Sequence, residues 1–501
     1  MKGFKFHMKN LSRMTYLKNA VKSLALAAMP RAASSGVGFE IATSARTRKA
    51  LGVLAGIAAS ADRHQSKHTL GMLREICRAY DRQSSLFSGI LDRALDNIFG
   101  ANFDFVPITG DKELNKQVKG FVVEKMEASV CDATGVRDFV EIAKTAIRAI
   151  WNDGDCLLAK RKDGTLLAFE ADQIISPSAS GGRIVLGVEL NDLNRHIAYY
   201  VQQRNTRGDY GSIGRSDFTT ARVPAQYALM PAYRKRFGQT RGIPFLAATL
   251  AAFDRTNNYL DYESLAAEIN AMQGLKIKRA PTENDLPGVE ENSDTTSTFE
   301  KLQKLEAGMI FDLLPGEDVD MFGSERPGSN FEPYIVTCCR IIGVGIGYPL
   351  ELMMLDFSKT NYSSARASMG EARRMFRAWQ KFAQKTMCLP WYKWQINRGI
   401  ASGFLPANPD IFKVRCQWPA WEYIDPYKES QANKIAINSR IKSISQAIRE
   451  QGNEPDEVFA EIAEDRKKLT ELGVPLEDEQ SGAVSNKTEK EIDDEDAKNE
   501  K

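Results

Sequence analysis

The sequence predicts an α+β protein that is mainly helical and contains a mixed β region. Apolar residues recur at helical spacing over long stretches such as 69–99. Between residues 155 and 233 the apolar period becomes that of strands, and Asp163-Gly164 lies between two such runs as a hairpin turn. Two further helical stretches, 245–273 and 331–347, flank a segment that again has strand patterns. This order of elements predicts helices and antiparallel strands in separate regions of the chain.

The composition is that of a globular protein with an uneven distribution of charge. Of the 501 residues, 43% are hydrophobic and 26% are charged, with a formal net charge of +2. Residues 1–100 contain sixteen Lys and Arg against six Asp and Glu, whereas residues 476–501 contain ten acidic residues against four Lys. The asymmetry predicts either oppositely charged partners at the two ends or, for the acidic end, a solvated tail.

Cysteine and histidine usage argues against a metal centre. The seven cysteines form no CxxC pair and there are only four histidines, so neither zinc nor another cofactor is expected. An odd, scattered count predicts reduced thiols in a cytoplasmic compartment. Cys338 and Cys339 are expected to be small core residues on a helix. His196, at the start of a predicted strand, is expected to have a structural or surface role.

Catalytic motifs are absent from the sequence. No GxxxxGK[ST], GxSxG, HExxH or paired-carboxylate pattern occurs. The glycines at 343, 345 and 347 superficially resemble a nucleotide-binding loop, but they follow no predicted strand. We interpret them as sites of close helix packing or flexibility. An enzyme is therefore not expected, and a DNA-processing enzyme remains the alternative hypothesis.

Two segments could be mistaken for membrane or export signals. Residues 18–35 have a basic flank and a short apolar run, but Pro30 follows that run at once and export is not expected. Residues 334–355 are apolar, but they contain Arg340, Glu351 and Pro349. A buried or subunit-facing helix is the better interpretation than a membrane span.

The stretch 327–387 is the centre around which the chain is organised. Its first helix is predicted to end before Pro349, and a loop at 352–362 leads to a basic amphipathic helix capped by Ser363 or Ser364. Residues 391–421 are predicted to be extended, with amphipathic helices over 427–472. Charges on much of the helix predicted at 245–273 indicate a helix that lies along a neighbour, often in another subunit.

Several segments resemble the lambda-family portal proteins of tailed bacteriophages. The strongest are RPGSNFEPYI at 326–335 and GIGYPLELMMLDFSKTNYSSARASMGEARRMF at 345–376. The resemblance covers roughly residues 70–475, although many relatives carry small or aliphatic residues at Lys359-Thr360. The supporting segments are VPAQYALM (223–230), RFGQTRGIPFLAATL (236–250), LEAGMIFDLLPGEDV (305–319) and WEYIDPYKES (421–430).

The resemblance implies the portal fold of wing, stem, clip and crown, with a mixed β wing and a small β-containing clip, assembled as a ring of usually twelve subunits. The implied regions are a basic flexible arm (1–68), the wing (69–241), the first stem helix (242–274), the clip (275–327), the second stem helix (328–348), the channel loop (349–362), a long helix behind it (363–390), a return to the wing (391–424), the crown (425–475) and an acidic disordered tail (476–501).

The resemblance also implies a function. It predicts a conduit at one capsid vertex through which double-stranded DNA is packaged and ejected, located in the virion and in the host cytoplasm during assembly. The implied partners are other copies of the chain, DNA bound without sequence preference, the terminase large subunit, major capsid and scaffold proteins, and a head–tail adaptor. No membrane is implied.

Two sets of residues are candidate sites under this resemblance. The first would face DNA in the channel, where weak contact is expected because strong phosphate binding would trap the duplex; an ordinary surface loop is the alternative. The second would dock terminase, with a solvated acidic loop as the alternative. The channel residues are Ser358, Lys359, Thr360 and Asn361, and the docking residues are Glu283, Asp285, Glu290, Glu291 and Asp294.

Overall fold

The computed structural model describes ten stretches of the chain, all within the compact unit Ser60–Lys501. Residues 1–60, the part of the predicted clip at 280–316 and the acidic end at 476–501 lie outside them. The described stretches are 61–64, 67–100, 103–177, 183–202, 220–271, 274–279, 317–322, 330–358, 360–421 and 425–472.

The described residues form a mixed helical and β structure, as predicted. The helices are α1 Lys67–Gln83, α2 Ser85–Phe99, α3 Lys112–Met126, α4 Ala128–Cys131, α5 Phe139–Asp153, α6 Leu250–Ala271, α7 Phe331–Ile346, α8 Leu350–Met354, α9 Tyr362–Ala383, α10 Leu389–Ala401, α11 Pro426–Asn438, α12 Ile444–Glu450 and α13 Pro455–Glu471. The strands are β1 Asp104–Pro107, β2 Leu157–Lys160, β3 Leu166–Phe169, β4 Ile184–Val185, β5 Val188–Leu190, β6 His196–Gln202, β7 Thr220–Pro224, β8 Ala228–Leu229, β9 Gly274–Arg279, β10 Glu317–Phe322 and β11 Val414–Gln417.

Every pairing between these strands is antiparallel, in agreement with the prediction. One sheet has the order β3-β2-β8 and a second has the order β4-β5-β6-β7, while β1 pairs with β11 and β9 with β10. The predicted Asp-Gly hairpin is confirmed, with Lys160 opposite Leu166. The Asp163 carboxylate closes the turn by accepting hydrogen bonds from the Thr165 N–H and hydroxyl, at 2.9 and 2.7 Å.

The main apolar core is built by helices from both halves of the chain. Aromatic rings fill it: Trp391 stacks on Phe139 at 4.1 Å, and Trp151 lies 5.4 Å from Trp379. Apolar side chains of α1 and α2 pack here, among them Cys77, Ile90 and Leu91, whereas Ile76 of α1 is 40% exposed. A smaller apolar cluster lies among the strands of the two larger sheets.

The cysteines confirm their predicted state. All seven are free and buried, Cys338 and Cys339 among them. Burial raises the pKa of Cys77 to about 12, so this thiol stays protonated at neutral pH. Such a thiol is a small apolar core residue rather than a nucleophile.

A buried ion pair fixes the backbone that precedes α6. The Arg241 guanidinium forms a bidentate ion pair with Asp155, at 2.8 and 2.7 Å, and also donates to the carbonyls of Ala171, Ile174 and Leu186. Asp155 is fully buried, and the adjacent Arg241 charge holds its pKa below the usual range against the opposing effect of burial. The RFGQTRGIP segment thus has a structural role, because Arg241 links α6 to the β region.

The long basic helix continues further than the sequence predicts. A π-helical turn at Gln384–Cys388 joins α9 to α10, so residues 391–401 are helical and the prediction of extended chain there is wrong. Pro390, two residues after this turn, gives a physical reason for it. Proline removes one helical N–H and crowds the carbonyl four residues earlier, and a wider turn relieves that conflict without ending the helix.

Candidate functional site: a helix pair and the segment that follows it

Helices α6 and α7, called the helix pair below, pack against each other in opposite directions. Thr249, just before α6, touches Gly345 near the end of α7. Tyr259 in α6 contacts Phe331 and Tyr334 at the start of α7, with ring centroids 5.9 and 4.3 Å apart. The start of α6 thus lies beside the end of α7, and the middle of α6 lies beside the start of α7, so the pair is antiparallel.

The glycines of α7 permit this close packing. A Cβ on Gly345 would lie 2.5 Å from the Thr249 methyl carbon, and one on Gly343 would lie 2.4 Å from the carbonyl oxygen of Tyr348. Gly347 ends the helix in the left-handed region, with φ +74°. Close packing is thus confirmed for Gly343 and Gly345, whereas Gly347 is the C-cap.

A two-stranded ribbon lies between the two helices in the sequence. Strand β9 follows α6, strand β10 precedes α7, and their register runs from Gly274 opposite Phe322 to Arg279 opposite Glu317. Both strands were predicted from the sequence.

The helix pair presents large apolar side chains that no described residue of this chain covers. On α6, Tyr262 is 66% and Leu265 is 53% exposed; on α7, Ile341 is 58% and Val344 is 86% exposed. Exposed apolar side chains on both helices can mark an interaction site. The helix pair is therefore a candidate interface.

Residues 348–361, called the bridging segment below, connect the helix pair to α9. The prediction of a loop from residue 352 is wrong for its first part, because Leu350–Met354 forms α8. Leu355 then takes a left-handed conformation with φ +53°. The Asp356 carboxylate accepts hydrogen bonds from the Ser358 N–H and hydroxyl, at 2.9 and 2.6 Å, and thereby fixes the turn.

An arginine from α2 holds this segment in place. The Arg93 guanidinium donates to the carbonyl oxygens of Leu352 and Met353, at 3.3 and 3.2 Å. Tyr348 and Met353 are buried in the core beside it. Sequence analysis missed Arg93 because 259 residues separate it from Leu352, and no local pattern signals a contact over that distance.

The structure places three of the four predicted channel residues on one turn. Ser358 and Asn361 are exposed, Thr360 is half-buried, and Lys359 lies outside the described residues. Asn361 is the N-cap of α9 and accepts a 2.8 Å hydrogen bond from the Ser364 N–H, so the prediction of a serine cap is wrong. An amide oxygen caps as well as a hydroxyl does. The helix therefore begins two or three residues earlier than the sequence pattern indicates.

The exposed surface of the bridging segment is apolar and acidic. Met354, Leu355 and Phe357 are 41%, 57% and 41% exposed. The described residues of the segment include Glu351 and Asp356 and no lysine or arginine. The predicted docking residues Glu283, Asp285, Glu290, Glu291 and Asp294 all lie outside the described residues.

The basic face of α9 lies against the C-terminal part of the chain. The guanidinium groups of Arg373 and Arg377 lie over the Trp421 ring, at 5.6 and 5.2 Å from its centroid. Burial lowers the pKa of Arg373 from its ordinary value. Arg374 points elsewhere and pairs with Glu371 at 2.7 Å.

Two further searches concern only the parts of the chain that the structure describes. Within them, no group of three or more His, Cys, Asp or Glu side chains is arranged to hold a metal ion. No helix among the described residues is both long and apolar enough to cross a membrane.

Comparison with known sequences gives one consistent result. A sequence model described as "Phage portal protein, lambda family" matches residues 54–380, more than half of the chain. A "Probable portal protein" of Halomonas phage phiHAP-1 is 25% identical over 365 residues, which cover 69% of each chain. "Portal protein B" of Escherichia phage lambda is 20% identical over 312 residues, covering 55% of this chain and 56% of that protein.

Comparison with solved structures finds chains of gene transfer agent particles. A chain from the neck of an empty gene transfer agent particle has 15% sequence identity and a TM-score of 0.45; the match covers 81% of this chain and 98% of that chain. A chain from the native gene transfer agent virion has 14% identity and a TM-score of 0.44, with the same coverage.

Proposed function

This chain belongs to the lambda family of phage portal proteins, and on that premise we propose that it forms the ring-shaped conduit at one capsid vertex. Double-stranded DNA would pass through the ring into the capsid during packaging and out of it during ejection. The ring would belong to the virion and would be assembled in the host cytoplasm. Portal proteins are structural, and the energy for packaging would come from a separate terminase motor.

The observation that carries the proposal is the exposed apolar surface of the helix pair. Val344 is 86% exposed on a helix whose opposite face is packed into the core. Leaving such side chains in water is unfavourable by about 25 cal/mol per Å² of apolar area. A closed ring covers the same patch on every subunit with a neighbour, so identical copies satisfy all the patches at once.

The described elements support an assignment of regions in portal terms. The helix pair would be the two stem helices (242–274 and 328–348), and the β9–β10 ribbon would be part of the clip (275–327). The wing would comprise 69–241 and the return at 391–424, and the crown would comprise 425–475. The helix behind the channel loop (349–362) was predicted over 363–390 and extends in helical form to Ala401.

The bridging segment would face the channel through Ser358, Lys359, Thr360 and Asn361. Its described residues support weak contact with DNA, because two carboxylates and exposed apolar side chains offer no strong phosphate partner. A loop of this composition lets a polyanion slide rather than holding it. Terminase, and later a head–tail adaptor, would dock on the clip, with the acidic stretch 283–294 as the terminase surface. Capsid and scaffold proteins would surround the ring.

Imaging by negative-stain electron microscopy tests the proposal directly. Purified full-length protein should form rings with a central hole, usually of twelve subunits. Monomers or dimers alone would lead to a repeat with scaffold protein present. Absence of rings in both preparations would contradict the proposal.

The alternative, a DNA-processing enzyme, makes a different prediction. Such an enzyme would hydrolyse ATP or cut DNA with a divalent cation, and a point mutation in this chain would abolish the activity. Neither activity is expected from the purified protein. Mutation-sensitive nuclease activity would refute a purely structural role.

A further inference from the structure

A cavity of about 500 Å³ lies between α9, β11 and the helices α11 and α12. Its walls carry five arginines from three different parts of the chain. They are Arg366, Arg373, Arg377, Arg415 and Arg449. Five guanidinium groups around one opening create a strong preference for an anion.

The cavity keeps most of this positive charge. The two acidic residues among its described lining are Glu429 and Glu450, and Glu450 pairs with Lys442. Arg415 pairs with Glu454. Three further arginines form no ion pair with another described residue: Arg366, Arg377 and Arg449. The described residues therefore leave the positive charge of the cavity incompletely neutralised.

Trp421 packs against two of the arginines that line the cavity. Arg373 and Arg377 lie over its ring at 5.6 and 5.2 Å. A guanidinium group that packs over an aromatic ring can still direct its N–H edges at the paired oxygens of a carboxylate. Such packing restricts the side chain before binding and so reduces the entropy lost on binding.

The size of the cavity favours a peptide over a duplex. Pockets of about 300–1,000 Å³ enclose small ligands or a few side chains, and nucleic acids are followed by long open grooves. Aspartate and glutamate side chains of one extended strand could enter this cavity one after another. A rigid duplex could not bring its phosphates to all five arginines.

The chain itself contains an acidic segment that can reach the cavity. Six of the eight residues at 489–496, called the acidic block below, are Asp or Glu. Helix α13 begins beside Glu454, the partner of Arg415, and its 17 residues span about 26 Å at ~1.5 Å per residue. Residues 473–488 can extend over about 50 Å at ~3.3 Å per residue, so the acidic block can return to the cavity.

We propose that the cavity binds the acidic block of this chain through its arginines. The carboxylates would pair with the guanidinium groups that line the cavity. The C-terminal end would thus compete with other small anions or acidic peptides for this cavity. The binding does not depend on the conduit role, because the cavity is formed within one chain.

Site-specific photo-crosslinking of the full-length protein tests the binding. Ala432 is exposed and lines the cavity, so p-benzoylphenylalanine at this position should cross-link to the acidic block at 50 mM NaCl. At 1 M NaCl the yield should fall at least about fivefold, because screening shortens the reach of the charges to ~3 Å. The same photoprobe at Lys434, which does not line the cavity, should give little of this product.

Matched variants identify the groups responsible. The double variant Arg366→Gln/Arg377→Gln should lower the yield at least about fivefold, to the level of a variant whose six acidic residues are amides. Arg374→Gln, on the same helix but outside the cavity, should leave it unchanged. Absence of the cross-link from Ala432, or a yield unaffected by the double arginine variant, would overturn the proposal. Circular dichroism would confirm that each variant is folded.

Discussion

Gly154 and Gly242 meet backbone to backbone at the entrance to α6. A Cβ on Gly242 would lie 1.9 Å from the Gly154 carbonyl oxygen, and one on Gly154 would lie 2.5 Å from the Gly242 carbonyl carbon. The Gly242 N–H also donates to the buried Asp155 carboxylate at 2.7 Å. Two rigid backbones therefore define this contact, and no side-chain rotation can relieve an added methyl group.

We expect Gly242→Ala to destabilise the protein by about 1–3 kcal/mol or more, since overpacking of a close contact costs that much. Gly238→Ala is the matched control, because a Cβ there meets nothing within 4 Å. Thermal unfolding measures both. Equal melting temperatures for the two variants would contradict the role of the contact.

His196 makes stability depend on pH. Burial, with the nearby Arg234 charge, lowers its pKa from 6.5 to about 4, and its Nδ1 lies 3.2 Å from the Tyr199 hydroxyl. Between these two pH values the unfolded chain binds a proton that the folded chain does not. The neutral His196 therefore lowers the free energy of unfolding progressively as the pH falls from 6.5 towards 4. Above pH 6.5 this loss is absent.

We expect the melting temperature of the wild type to fall more steeply from pH 7 to pH 4.5 than that of His196→Gln. Comparing the two pH profiles isolates this residue from the carboxyl groups that titrate in both proteins. Parallel profiles would show that the imidazole titrates normally in the folded state. The structural role predicted for His196 would then need another basis.

At the scale of single elements, the cap of α9 is the clearest difference from the sequence prediction. Asn361→Ala removes the hydrogen bond to the Ser364 N–H and should lower the free energy of unfolding by about 1 kcal/mol. Ser363→Ala, at the position the sequence favours, should have almost no effect. Urea unfolding measures the two changes. A larger loss for the serine variant would restore the original prediction.

Local sequence patterns predict most of the helices and strands but not the connections between them. Periodicity located α1, α2, α6, α7 and α9, and the Asp163-Gly164 turn located the first hairpin. The π-helical turn before Pro390 was missed, since proline ordinarily signals a helix end and tertiary packing of Trp391 overrides that signal here.

In the candidate site, too, the local segment was predicted and its long-range contacts were not. Motif resemblance located the bridging segment, but the Arg93 contacts that hold it join residues 259 and 260 positions apart. The bidentate pair of Arg241 and Asp155 spans 86 positions. Such contacts depend on the assembled fold, and no local pattern in a single sequence indicates them.

At the scale of the whole molecule, the exposed face of the helix pair should determine assembly. Val344→Glu places a charge on a residue that is 86% exposed, so the folded monomer should be unaffected. Burying that charge without a partner in an interface costs several kcal/mol. We therefore expect loss of rings in this variant.

Leu193→Glu is the control, because Leu193 is 87% exposed in a turn far along the sequence from the helix pair. It should assemble as the wild type does in negative-stain images and native mass spectrometry. Rings in the Val344→Glu preparation would show that subunits meet through another surface. Unchanged melting temperatures of the dissociated monomers would verify that both variants fold.

The unbroken helical run from Tyr362 to Ala401 has a mechanical consequence. One end begins at the bridging segment, and the other carries Trp391 and Tyr392 into the core. A pull on the bridging segment would be transmitted to the core through this helical run and its backbone hydrogen bonds. The π-helical turn interrupts the regular α-helical hydrogen bonding, so we expect it to be the least stiff part of this helical run. Stretching should therefore begin there, while the cap at Asn361 and the aromatic anchor remain in place.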